Sequence, residues 1–354
     1  MTAEPQKGAP PATTAAVAVF VVTLALTVAL VIFSIPAGFY AVFSGTLSST
    51  VTAATPVQPY FWIGPLPVVL GATVEVGVLF AAFSLVYVAL LAYGAWERTR
   101  PWTAVANSAR GGFDSLTSSP FIVMMVAIGF LTFTANIIDD LTSSAGVPIG
   151  SISGDPLELF LGFTVSPLVE EIGFRVVLIG LVAVVLSLGK GWRGALGALW
   201  RPSKAVEGVA VGGGAAIIIW IATGFSAVTF GVCHVVCGGS AWQIGKIPEA
   251  TFGGVVLGYL YVRYGLHVAV ITHWGIDYFG SALAFLGQAA YGIPWNSGSS
   301  EYFGQYLVDY DLIFLFGLAS FLLVLSQVVK RFTGNRPMEP EPFNPPGAGG
   351  PPGT

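Results

Sequence analysis

Glu170-Glu171-Ile172-Gly173-Phe174-Arg175 sets two carboxylates and a guanidinium inside an apolar stretch running from Leu157 to Leu188. That stretch is long enough to cross a lipid bilayer. Hydrocarbon is where ionisable groups cost most: even the gentler insertion scales charge roughly 2.5–3.5 kcal/mol for one Asp, Lys or Arg at a helix centre. A chain that keeps three such groups together at that depth uses them, and the search for function starts at Glu170.

Composition agrees. The chain is 55% hydrophobic and 9% charged, against about 25% charge in an ordinary soluble domain. Its mean hydropathy is +0.79, the value of a protein that crosses the membrane many times. The net charge of −4 is spread over short loops and leaves no basic footprint for nucleic acid. No cleavable signal peptide is evident, because the first apolar run is too long for a signal core.

The fold expected is all-α: a polytopic membrane helical bundle of about eight transmembrane helices, near 15–43, 68–95, 119–138, 157–188, 206–236, 249–264, 266–286 and 308–329. Pro36, Pro65, Pro67 and the run Gly212-Gly213-Gly214 are the expected interruptions. If the fifth span starts at 206, His234 lies about 40 Å along a continuous helix, so a break is expected near those glycines or near Gly224. Loops near 96–118 and 189–205 carry Arg98, Arg100, Arg110, Lys190, Arg193, Arg201 and Lys204, whereas those near 44–67, 139–156 and 287–307 carry no Lys or Arg. The positive-inside rule then puts both termini in the cytoplasm, with Lys246 the one discordant charge. Tyr291, Trp295, Tyr302 and Tyr306 suit an interfacial aromatic belt. The expected organisation is a polar segment over 1–14, membrane helices over 15–150, a central core, a last loop and helix over 291–336, and a disordered Pro/Gly-rich tail over 337–354.

Three polar groups stand out on apolar helices. Glu171 and Arg175 are i,i+4 and share a helix face, so Arg175 can hold Glu171 while Glu170 faces the bundle interior. There a desolvated carboxylate suits general-base work; the alternative is a purely structural ion network. Phe230 and His234 are also i,i+4, and His234 is either a proton carrier or a packing residue. Cys233 and Cys237 flank it and read as small buried thiols, with a metal cluster as the lesser alternative. His273 and Asp277 are a third i,i+4 pair, able to point together into a cavity or merely to bond each other. His267 is expected at the interface, and Glu75 is placed in the second span. Hydrolysis is the chemistry this set supports: Glu170 and His234 polarise a water, while His273 and Asp277 stabilise the oxyanion.

Glu-Glu-x-x-x-Arg, then Phe-x-x-x-His, then His-x-x-x-Asp on successive membrane helices resembles the CAAX prenyl protease type II family, also called the CPBP family of intramembrane glutamic proteases. The resemblance covers roughly 157–286 and makes 151–290 a CPBP-like catalytic core. It implies that Glu170 activates water with His234 as partner, that Glu171 and Arg175 are the structural pair, and that His273 and Asp277 occupy the oxyanion positions. An ionised Asp277 cannot donate a hydrogen bond where an Asn would, so it either acts protonated or orients His273. The family is regarded as metal-independent, which implies no cofactor, and this chain lacks the His-Glu-x-x-His zinc signature. The implied partner is a membrane-bound or lipidated peptide in the bilayer of a prokaryotic plasma membrane. Two other readings remain: a non-proteolytic scaffold or bacteriocin-immunity-like protein, and a proton-coupled transporter relaying through Glu75, Glu170 and Glu171.

Overall fold

A computed structural model describes residues 11–206, 214–237, 241–296 and 313–332. The Pro/Gly-rich tail over 337–354, most of the polar amino-terminal segment, and Tyr302 and Tyr306 lie outside them. The described chain is helical nearly throughout. Helices α1 (Pro11–Phe43), α2 (Val76–Trp96), α3 (Pro101–Gly111) and α4 (Pro120–Ser144) come first. A continuous helical stretch follows as α5 (Pro156–Glu170), a π-helix (Glu171–Gly180), α6 (Leu181–Ser187) and α7 (Gly191–Trp200), then the short α8 (Pro202–Val206). The bundle closes with α9 (Gly214–Val236), α10 (Lys246–Tyr264), α11 (Leu266–Tyr291) and α12 (Ile313–Phe332).

Five stretches among the described residues are long and apolar enough to cross a membrane: 15–43, 76–96, 120–144, 156–200 and 214–236. They turn bulky apolar side chains outward, as with Val19 at 64% and Leu85 at 69% exposure. A helix apolar on every side is stable only in lipid or deep in a core, and this is an integral membrane protein. Helices α10 and α11 carry the polar and small residues of the interior, which lowers their hydropathy; the apolar part of α12 is Phe314–Lys330.

The second span departs from expectation. Residues 68–75 are not helical: β1 (Pro56–Val57) pairs with β4 (Val74–Glu75), and β2 (Tyr60–Ile63) pairs antiparallel with β3 (Leu66–Val69). Ile63 opposes Leu66 across a two-residue Gly64-Pro65 turn, and Gly64 has φ +57, the left-handed conformation such turns demand. Pro65 and Pro67 therefore interrupt no helix; they build a hairpin turn and an edge strand. Glu75 is exposed in β4, outside any membrane helix, and the transporter relay through it loses its first station.

The fifth span also differs. Helix α9 is described from Gly214 and runs unbroken through Gly224, and His234 lies about 30 Å beyond Gly214 at ~1.5 Å per residue. No break stands at Gly224; the break expected near Gly212-Gly213-Gly214 falls on residues 207–213, outside the described residues. Small residues draw α9 and α10 together: a Cβ on Gly254 would stand 2.9 Å from Cα of Ala227, and one on Gly258 2.7 Å from Thr223. Close backbone approach of this kind holds membrane helices where no hydrophobic drive exists.

The two ends of the bundle are tied differently. At one, Asp155 caps α5 by accepting from the Leu157 and Glu158 amides at 2.9 and 3.4 Å, and binds Thr50 at 2.7 Å as well as Ser48. Burial pushes this carboxyl up, but the hydroxyls and amides outweigh it and hold it below the usual range. Gly150 bridges Trp242 there, and Gln243 donates to the Ile149 carbonyl at 2.8 Å. At the other end Glu97, just past α2, pairs with Arg201 and lies 2.9 Å from Nε2 of His267. Burial opposes ionisation of Glu97, yet these two neighbours bring its carboxyl down to about 2. His267 is thus fully buried and not at the interface, because Glu97 and Arg201 offer it a charged partner under the rings of Tyr93 and Trp200.

Candidate active site

The Glu-Glu-x-x-x-Arg motif straddles a change of helix type. Glu170 ends α5, and Glu171–Gly180 wind as a π-helix, three residues after Pro167 has removed one amide from the ladder. The α-helical angles used to read the motif therefore do not apply, although the pairing survives: Arg175 Nε lies 3.2 Å from Glu171 Oε2, with both side chains fully buried. Stretches of π-helix concentrate at functional sites. The Arg175 guanidinium also lies over the Phe230 ring at 4.4 Å, a cation–π contact that strengthens when desolvated.

Helix α11 brings the third motif to the first. His273 Nδ1 is 2.9 Å from Glu171 Oε1, which leaves Nε2 between Glu170 Oε2 at 3.7 Å and Asp277 Oδ2 at 3.5 Å. His273 is nearly enclosed, while the Glu170 and Asp277 side chains keep 18% and 28% exposure. Access to the cluster is thus from the side of Glu170 and Asp277. Around it pack Tyr87, Trp274 and Tyr278, stacked at 5.1 and 4.9 Å; Tyr87 donates to the Thr164 carbonyl at 2.6 Å.

His234 joins through Phe230. Its Nδ1 is 2.9 Å from the Phe230 carbonyl, one turn back, and its ring stands edge-on to Phe230 at 4.6 Å. The same Phe230 ring meets His273 at 5.7 Å. Glu170, Glu171, Arg175, Phe230, His273 and Asp277 are thus joined by direct contacts, and His234 stands behind the shared phenyl ring within electrostatic reach of His273.

Cys233 and Cys237 form a disulfide, which corrects the reading of them as buried thiols. The i,i+4 spacing at the last turn of α9 brings their Cα atoms to 4.7 Å, inside bridging range. Among the described residues no three His, Cys, Asp or Glu side chains are grouped as a metal site.

Three contributors escaped the sequence. Tyr60 bonds Ser166 at 3.2 Å, and Trp62 packs on Phe174 at 6.1 Å, so the β2–β3 hairpin lies along the motif helix. A Cβ on Gly173 would stand 2.4 Å from Cβ of Trp62: only glycine admits the strand so close. The signal was available in Tyr60-Phe61-Trp62, an aromatic run before Gly64-Pro65. The third is Lys246, which the sequence showed only as a discordant charge; it is bonded to Glu249 and lies over Trp242 at 4.4 Å.

Residues 153–279 match the family model described as Type II CAAX prenyl endopeptidase Rce1-like. No curated protein and no solved structure matches significantly. The matched segment holds every residue of the cluster and His234, and over these residues the chain is similar to the CAAX protease/CPBP family.

Proposed function

We propose that the protein is an intramembrane endopeptidase that hydrolyses a peptide bond in a membrane-held substrate, prenylated or not, by a glutamate- and histidine-activated water, without a metal. The observation that carries this reading is the meeting of Glu170, Glu171, His273 and Asp277 on two buried apolar helices. Glu170, accessible and with no salt-bridge partner within 3.5 Å among the described residues, takes a proton from water; His234 orients that water from the α9 side. The hydroxide adds to the carbonyl carbon, and the oxyanion lies against His273 Nε2, whose ring Glu171 holds through Nδ1. Glu170 returns the proton to the departing amine as the C–N bond breaks, leaving a carboxylic acid and an amine.

Asp277 serves by orienting His273 or, when protonated, by donating to the oxyanion. Glu171 and Arg175 are positioning residues. The core over 151–290 carries the chemistry; 15–150 and 291–336 supply the helices and hairpin around it. The protein sits in a prokaryotic plasma membrane with both termini cytoplasmic, a placement supported by the Lys and Arg distribution.

A fluorogenic prenylated peptide offered to the detergent-purified protein tests this. Glu170→Ala and His234→Ala are expected to abolish cleavage, Asp277→Asn to retain or raise it, and a chelator to leave it unchanged. Wild-type turnover in both alanine variants would defeat the mechanism, and chelator-sensitive cleavage would bring a metal back. A non-proteolytic scaffold is the outcome if no variant and no condition separates turnover from background.

A further inference from the structure

We propose that the site is entered from the exported face of the membrane, so that its substrates are membrane-anchored polypeptides presented from outside the cytoplasm. This deepens the proteolytic reading and rests on it for the substrate.

The helices connect so that cationic and cation-free segments separate onto opposite ends. Between Phe43 and Val76, Ser144 and Pro156, Val236 and Lys246, and Tyr291 and Ile313, the chain has no Lys or Arg. Contacts among the described residues gather the first three connections and the end of α11 at one end: Thr46 bonds the Ala289 carbonyl at 2.8 Å, Thr50 bonds Asp155, and Gly245 donates to the Pro148 carbonyl at 3.0 Å. At the opposite end lie Arg98, Arg201, Arg263 and Lys330, tied through Glu97 and Asp114. The cation-rich end is the cytoplasmic one.

The polar groups that lead to the site come from the cation-poor end. Lys246 and Glu249, on the first turn of α10 beside the 237–245 connection, are within electrostatic reach of both His234 and Asp277. They also reach Asp139 on α4. Each member of the Lys246–Glu249 pair keeps 16% side-chain exposure, and Glu170 and Asp277 are the open members of the catalytic cluster. Toward the cytoplasmic end lie buried side chains: His267 and Trp274 are enclosed, and Tyr261 donates to the Leu199 carbonyl at 2.9 Å. Lys246, discordant by the positive-inside rule, is explained as part of the entrance.

An independent feature points the same way. The Cys233–Cys237 disulfide brackets His234 at the entrance end of α9. Disulfides form and persist in oxidising, exported compartments and are rare in contact with the cytosol.

Two measurements test the inference. In a Cys233→Ser/Cys237→Ser background, Ser153→Cys is expected to react with a membrane-impermeant maleimide in intact cells, and Thr103→Cys only after permeabilisation. With the unaltered protein, a farnesylated fluorogenic peptide added to the bath is expected to be cleaved by spheroplasts. Cleavage is expected to be lost in sealed inverted vesicles and regained when detergent opens them. Reversed labelling, or cleavage by inverted vesicles alone, overturns the inference while leaving proteolysis intact. Turnover in detergent no greater than that of Glu170→Gln overturns the proteolytic reading and the substrate with it, and the labelling still decides which way the entrance faces.

Discussion

Glu171 is the most constrained side chain of the site, holding Arg175 on one oxygen and His273 on the other. Removing Arg175 strands a buried carboxylate, and breaking a buried pair in this way costs about 3–5 kcal/mol. Arg175→Met is therefore expected to lower the thermal midpoint of the purified protein sharply, and Glu171→Gln in the same chain to recover part of the loss. An Arg175→Met midpoint equal to wild type would show that the pair carries no structural load. The Glu171–Arg175 contact was legible in the sequence because it is local: four residues apart, the two groups meet in either helix type. The Glu171–His273 bond was not, since it joins positions 102 residues apart and nothing in the spacing of either motif says which carboxylate the imidazole takes. The cysteines failed for a related reason: their spacing allowed a thiol pair or a bridge, and only backbone placement decides between them.

Among the elements, the β2–β3 hairpin and the π-helix form one unit with Gly173 as its joint. Any Cβ at 173 forces the Trp62 backbone away. Gly173→Ala is expected to reduce peptide turnover with helix content by circular dichroism unchanged, and Trp62→Gly in the same chain to restore part of it. Unchanged turnover in Gly173→Ala would free the hairpin from any part in catalysis. Asp155 supports the next element as cap of α5, and Asp155→Ala is expected to cost about 1 kcal/mol. Because its carboxyl is held low in the folded protein, the contribution is complete above the ordinary carboxylate value of about 4. It fades as pH falls through the depressed folded value. The midpoints of wild type and Asp155→Ala should therefore converge in acid and separate near neutrality; a gap that does not change with pH contradicts this. The helices were readable because apolar length decides them. Residues 68–75 were misread because Val68-Val69-Leu70 reads as the start of a membrane helix; the turn chemistry of Gly64-Pro65, not hydropathy, decides that segment.

At the scale of the whole molecule, the sequence carried the helical bundle through one simple quantity, apolar length. It did not carry the crossing of α5, α9 and α11, which depends on small-residue contacts such as Gly254 on Ala227 and on the Glu97–Arg201–His267 tie. Those contacts decide whether three motifs spread along the chain meet at all. Their meeting is the account's central claim, and the turnover of Glu170→Gln tests it most directly, since this variant keeps size and polarity and removes only the base. In detergent, with a prenylated fluorogenic peptide and a thermal midpoint matching wild type, kcat/KM should fall by about 10²–10⁴-fold, the usual worth of a positioned general base. A folded Glu170→Gln protein that cleaves at the wild-type rate would contradict the account.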